Sequence, residues 1–137
     1  MILFKHDMKR AILDGRKTVT RRQGKRRWKV GGEHLCYTRP PFARGGAEPF
    51  ADVRILSVTR EAYPGESIRR RYNSAGDAAL LAENEAEGRR EGFSGWSEFW
   101  EAYMEINGPE AYGQPCWRVE FELVEVIGAD DRAGDRL

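Results

Sequence analysis

Lys17 and Thr20 stand three residues apart in "GRKTVTRRQGKRRWK", residues 15–29, a stretch with eight basic side chains and no acidic one. A threonine hydroxyl becomes a useful nucleophile when a base removes its proton, and lysine is the usual substitute where no histidine serves. His6 and His34 are the only histidines, and neither receives a role from its context. An ordinary lysine, with a pKa of ~10.4, is almost wholly protonated at neutral pH. Burial and neighbouring positive charge both lower that value, and Arg16, Arg21 and Arg22 are close in the chain. A separation of three brings two side chains together in a turn, whereas a flat strand sends them to opposite faces. Two plainer readings stay open: a solvated lysine beside a β-favouring threonine, or a cationic segment that tracks a polyanion.

The surrounding elements decide between these readings, because they must hold the lysine. Residues 1–4 read as a short strand, and "HDMKRAILDG" as a helix with Asp7 as N-cap, Met8, Ala11 and Ile12 on one face, and Gly15 as its stop. "TVTRR" is extended in character, so Lys17 lies where the chain turns and Thr20 where a strand has begun. "HLCYTR" (34–39) is a strand broken by Pro40-Pro41, and a Gly- and Pro-rich loop follows. "FADVRILSVTREA" alternates, with Val53, Ile55 and Val58 expected inward. "GDAALLAENEAEGRREGF" reads as a helix from an Asp77 cap to Glu91, ended by Gly92. Trp96, Phe99, Trp100, Tyr103 and Ile106 then repeat at helical spacing, a stripe that reads as core. "CWRVEFELVEVIG" is a half-buried final strand. The order β-α-β-β-β-α-α-β predicts an α+β fold with one mixed sheet or small barrel. Residues 1–127 form the expected domain, and 128–137 a polar tail that frays.

At 137 residues the chain is long enough for one domain and too short for two ordinary ones. No apolar run approaches the ~20 residues that cross a bilayer, and the N-terminus lacks the pattern of a signal peptide. Cys36 and Cys116 show no CxxC spacing, which predicts reduced thiols, a cytoplasmic setting and no metal site. There is no GxSxG, Walker loop or HExxH motif, and no cofactor is expected. The net charge of +1 hides an asymmetry: residues 1–44 carry 13 Lys/Arg against 3 acids, and residues 45–137 carry 10 against 19. Such a division points to an anionic partner or to two halves that attract each other.

The stretches "ILF…AILDGRKTVTRR…WKVGGEHLCYTRP", "FADVRILSV", "EGFSGWSEFWEAY" and "CWRVEFELVEV" together resemble an ASCH domain, a small barrel related to PUA domains. The similarity spans residues 2 to about 126, and its most specific part is the G-x-K-T-x-T-x-R pattern of "GRKTVTRR". The resemblance implies an α+β fold with a small mixed β-barrel and flanking helices. One bacterial branch of the family removes the acetyl group from N4-acetylcytidine, and other ASCH domains are assigned RNA-binding roles. Carried over by position, the residues of that amidohydrolase branch are Lys17, Thr20 and Glu91, with threonine as nucleophile and no metal.

A neutral acylated pyrimidine needs stacking walls and a few hydrogen bonds. Phe4, Trp28 and Tyr37 flank the motif as candidate walls, and Arg39 is placed to touch base or sugar. The expected partner is thus a small modified nucleoside, with RNA as the alternative ligand and no membrane; the oligomeric state is not legible. The chain departs from the small amidohydrolases by a longer 39–50 loop and an expanded 64–90 helical region, which places Glu91 less firmly than Lys17 and Thr20.

Overall fold

Among the described residues ten glycines adopt positive φ, and two of them set the site by ending helices beside it. The computed structural model describes residues 1–42 and 44–128. A two-residue strand β1 (Ile2–Leu3) leads into helix α1 (His6–Leu13), whose last three residues Ala11, Ile12 and Leu13 are buried. Gly15, at φ +77°, reverses the chain, and the amides of Gly15 and Arg16 bond back to the carbonyls of Ile12 and Ala11 at 3.0 and 2.9 Å. Only glycine takes that φ without strain. Strand β2 (Val19–Arg22) follows, then β3 (Glu33–Tyr37) and the long β4 (Ala51–Glu61). Three helices come next, α2 (Glu66–Tyr72), α3 (Asp77–Arg90) and α4 (Trp96–Asn107), and β5 (Cys116–Val126) closes the order.

The five strands lie in the order β1-β3-β4-β5-β2. Strand β1 runs parallel to β3, and every other pairing is antiparallel, so the sheet is mixed. It curls into a half-barrel flanked by four helices, an α+β fold. The two edge strands are tied by a side chain, since Arg22 donates to the carbonyl of Leu3 at 2.7 Å. Strands β4 and β5 form the spine, with register shifts at Asp52/Val53 and Ile55/Ser57. The second shift admits Leu56 as an extra residue, which lets Ile55 and Val58 both turn inward despite unlike parity. Around them Ile2, Phe4, Ile12, Leu13, Trp28, Val53, Val119 and Phe121 make the main core. A second apolar cluster of Phe99, Tyr103 and Ala111 sits with Phe93, Trp96 and Trp100. Helices α3 and α4 meet at Gly88, where even a methyl group would overlap the Gly95 carbonyl.

Several expectations require correction. Asp7 and Asp77 do not cap: they lie in the first turns of their helices, whose N-caps Lys5 and Gly76 make no side-chain bond. An acid in the first turn still complements the helix dipole. The middle of the chain holds three helices where two are expected, because "ESIRRRY" buries only Ile68 and carries almost no periodic signal. The third strand ends at Tyr37, short of Arg39. Ile106 leaves the aromatic stripe and is 60% exposed, since α4 has run past the packed cluster by its last turn. The polar tail lies outside the described residues, apart from Gly128. Both cysteines are free and buried, and burial pushes each thiol up to about 12. No helix among the described residues is long and apolar enough to cross a membrane.

Candidate active site

Two helix ends converge on Lys17. Its amide donates to the Ala11 carbonyl at the end of α1 at 3.0 Å, and the next amide, of Thr18, donates to the Arg90 carbonyl at the end of α3 at 2.8 Å. Glu91 is the C-cap of α3, and Gly92 at φ +97° terminates that helix, as the sequence predicts. A Cβ at Gly92 would stand 3.3 Å from the Lys17 Cβ, so the helix end presses directly on the lysine.

The Lys17 ammonium donates to the Glu91 carbonyl at 2.6 Å, the Val19 carbonyl at 3.0 Å and Glu91 Oε1 at 3.2 Å. It also lies 5.9 Å from the Phe4 ring centroid. Lys17 is 4% exposed and Glu91 2%. Burial dominates the titration of Lys17 and lowers its pKa from 10.5; Glu91 opposes that fall, and Arg22 and Arg21 add to it.

Glu91 divides its carboxylate between two cations, Oε1 toward Lys17 and Oε2 toward Arg21 at 2.9 Å. Arg21 also donates to Glu61 Oε1 at 2.7 Å and meets Glu87 Oε2 at 2.8 Å. Its guanidinium carbon lies 5.5 Å from Trp96 and 5.7 Å from Phe99. Burial alone would raise Glu87, but hydrogen bonds and charge from Arg118 and Arg21 outweigh it and hold the carboxyl down at about 2. Burial likewise opposes Glu61, which bonds from Arg21 and Ser67 nevertheless lower.

Thr20 projects from β2 opposite Val119. Its Oγ1 accepts a hydrogen bond from Arg22 Nε at 3.1 Å, and that guanidinium stacks 4.9 Å from the Phe4 centroid. Lys17 and Thr20 therefore do not bond each other in this structure, but both line one cleft of about 630 Å³. That size falls in the range of ~300–1,000 Å³ usual for small-molecule sites. Glu91, Phe4 and Trp28 line it too, joined by Phe93, Phe99 and Tyr103. The Tyr103 hydroxyl is the one buried side-chain N/O atom among the described residues with no hydrogen-bond partner, and burial raises its pKa.

Of the seven residues singled out from the sequence, Lys17, Thr20, Glu91, Phe4 and Trp28 meet at this cleft, and Tyr37 and Arg39 do not line it. Tyr37 is buried at the end of β3, and the next residue, Thr38, faces the cleft in its place. Along extended chain, neighbours point to opposite sides. Arg39 donates to the Gly46 carbonyl and stays with its own loop. Sequence reasoning also passes over Arg21, Arg22 and Tyr103 as members of the cleft. For Arg22 a signal existed, since it is the final position of the G-x-K-T-x-T-x-R pattern.

No family model and no curated protein match the sequence. Among solved structures, protein EF3133 from Enterococcus faecalis V583, of the DUF984 family model, is similar at TM-score 0.53 and 15% identity, covering 91% of this chain and 80% of that one. A mutant form of ZmASCH from Zymomonas mobilis is similar at TM-score 0.52 and 13% identity, over 98% of this chain and 78% of that one. An ASCH domain from Lactobacillus crispatus JV V101 matches at TM-score 0.52 and 15% identity, over 84% and 69%. At these identities the likeness concerns the backbone, and it agrees with the curled mixed sheet and its helices: the chain has an ASCH-like fold.

Proposed function

We propose that the protein is a metal-independent amidohydrolase that removes the acyl group from N4-acylcytidine-type nucleosides, N4-acetylcytidine giving cytidine and acetate. The observation that carries this reading is the buried Lys17–Glu91 pair, at 3.2 Å, in the same aromatic-walled cleft as Thr20. A lysine with a lowered pKa can serve as a base, and a threonine lining the same cleft is the group it would arm.

In the proposed reaction the Thr20 oxygen attacks the acyl carbon while its proton passes to neutral Lys17. Of the three Lys17 bonds, the one to Glu91 Oε1 is the longest, and it is the one the amine's lone pair displaces as it turns to the hydroxyl. Glu91 then stabilises the ammonium that forms. The Arg22 guanidinium, 3.1 Å from Oγ1, eases loss of the Thr20 proton as that oxygen attacks. The C–N bond breaks, the exocyclic nitrogen takes the proton from Lys17, and cytidine departs. Water next adds to the threonyl ester, losing its proton to Lys17. The ester bond breaks, Lys17 returns that proton to Thr20, and the carboxylic acid leaves. Phe4 and Trp28 supply faces for the pyrimidine, and the unpartnered Tyr103 hydroxyl is available to one of its polar atoms.

Incubation of purified protein with N4-acetylcytidine, followed by chromatography, tests the reading. Cytidine and acetate should appear, and Thr20→Ala should lower kcat/KM by at least ~10³-fold while leaving the melting temperature nearly unchanged. Intact substrate would refute it. The alternative reading, an RNA-binding module with or without ribonuclease activity, draws on the exposed cations between β2 and β3 and would show as salt-dependent binding of short RNA.

A further inference from the structure

We propose that the cleft takes its nucleoside as a monophosphate, with Lys5 and Arg27 holding the phosphate at the rim. This rests on the amidohydrolase reading for the chemistry deeper in the cleft, but the phosphate site itself stands on separate residues.

Both candidate stacking walls have a cation next to them in sequence. Phe4 is followed by Lys5, and Trp28 is preceded by Arg27; all four line the cleft. The aromatic members are 5% and 8% exposed, whereas Lys5 and Arg27 lie open to solvent. Neither cationic side chain has a hydrogen bond, ion pair or ring contact among the described residues, so neither is occupied in holding the fold. A nucleoside with its acyl group toward the buried Lys17 and Thr20 has its ribose directed to the exposed side of the cleft, where a phosphate would approach these two charges. There the anion keeps part of its hydration, and Arg offers the planar fork that fits phosphate oxygens.

The same rim argues for one phosphate over a polymer. Asp7 and Glu105 also line the cleft and are exposed, so a second phosphate would meet like charge. Residues 45–137, with 10 basic and 19 acidic groups, give a longer strand no net attraction. Glu91 does not compete for the ligand, since both its carboxylate oxygens are engaged by Lys17 and Arg21.

The test compares kcat/KM for N4-acetylcytidine and for its 5′- and 3′-monophosphates, in wild type and in the double variant Lys5→Ala/Arg27→Ala. At low ionic strength the better monophosphate should be favoured about tenfold over the nucleoside, as two rim ion contacts of ordinary strength allow. The ratio should fall toward unity in about 0.5 M salt, where the screening length is only a few ångströms. In the double variant the ratio should collapse by about fivefold or more. Equal use of nucleoside and nucleotide by wild type, or an unchanged ratio in the variant, would overturn the proposal. If no substrate is turned over, the amidohydrolase reading fails on its own, and calorimetry with cytidine monophosphate against cytidine still reads the rim. Tighter binding of the monophosphate by wild type, lost in the variant, supports the site; equal binding removes it. A cytidine-rich RNA oligomer bound more than about tenfold tighter than the monophosphate would overturn it in favour of a polymer.

Discussion

Beneath helices α3 and α4, Arg21, Glu61, Glu87 and Arg118 are largely shut away from water, and each charge meets a partner. Along the rim of the cleft and the β2–β3 loop, Lys5, Lys25, Arg27 and Lys29 stand in solvent with no side-chain partner among the described residues. The two regions use the same residue types for opposite ends. A buried cation whose counter-ions surround it fixes helices to a sheet and has nothing left for a ligand. An exposed cation with no counter-ion adds nothing to the fold and keeps its field for whatever arrives. Lys17 belongs to neither group: it is as buried as Arg21, yet its pKa moves down where that of Arg21 moves up. Guanidinium meets three carboxylates, and the ammonium shares one.

Removing Arg21 should break the comparison most sharply. Arg21→Ala leaves Glu61 and Glu91 short of a partner in a dry site, and urea denaturation should register a loss of about 3–5 kcal/mol. A change below about 1 kcal/mol would mean that the network is not what holds α3 to β2.

Acid titration comes next. The Glu87 carboxyl lies at about 2 in the folded chain against 4.5 ordinarily, so its contribution is complete above pH 4.5 and is lost as pH falls through about 2. The shift corresponds to about 3 kcal/mol. Stability of wild type and Glu87→Gln, measured from neutrality down to that range, should converge as the pH falls. Parallel curves would contradict the assignment.

Lys17 gives the same sign of slope in an alkaline window and for a different reason, since burial disfavours its ammonium. Its folded pKa lies below 10.5, so between the two values the unfolded chain binds more protons, and the stability contribution grows as pH rises through that window. The rate of the proposed deacylation should likewise climb with pH on a limb centred below 10.5. Since Glu91 raises the Lys17 pKa, Glu91→Gln should move that limb to lower pH in whatever activity remains. A limb that stays put would separate Glu91 from the titrating group.

The smallest effects belong to the surface. Arg70→Ala removes an i,i+4 pair with Glu66 that is 64% exposed on the arginine side, and thermal unfolding should register about 0.3–0.5 kcal/mol. Lys25→Ala with Lys29→Ala should stay within about 0.5 kcal/mol of wild type. A larger loss from the loop pair would show that the rim has a structural duty after all.

These outcomes also mark which parts of the molecule are written locally. Gly15 and Gly92 declare helix ends within a few residues, and the stripe from Trp96 to Tyr103 declares its buried face through spacing alone. Lys17 and Thr20 are legible as a pair because a turn passes directly into a strand. Arg21 is not legible, since its burial depends on Glu61, Glu87 and Glu91, which lie 40 to 70 positions away. Tyr37 and Arg39 misled through nearness in sequence: alternation turns one from the cleft and the loop carbonyl of Gly46 retains the other. Helix α2 is not legible because a seven-residue helix with one buried side chain has hardly any pattern to show.

The contact between Gly88 and the Gly95 carbonyl carries a consequence for the proposed catalysis. Glu87 precedes this glycine and Glu91 lies one turn beyond it, so both acids ride on a helix whose height above its neighbour is set by the absence of a single carbon. An added methyl would lift the whole segment, and the carbonyl and carboxylate of Glu91 would draw back from the amine together. A substitution with no polar chemistry, at a position that touches no ligand, would thereby disarm the proposed base.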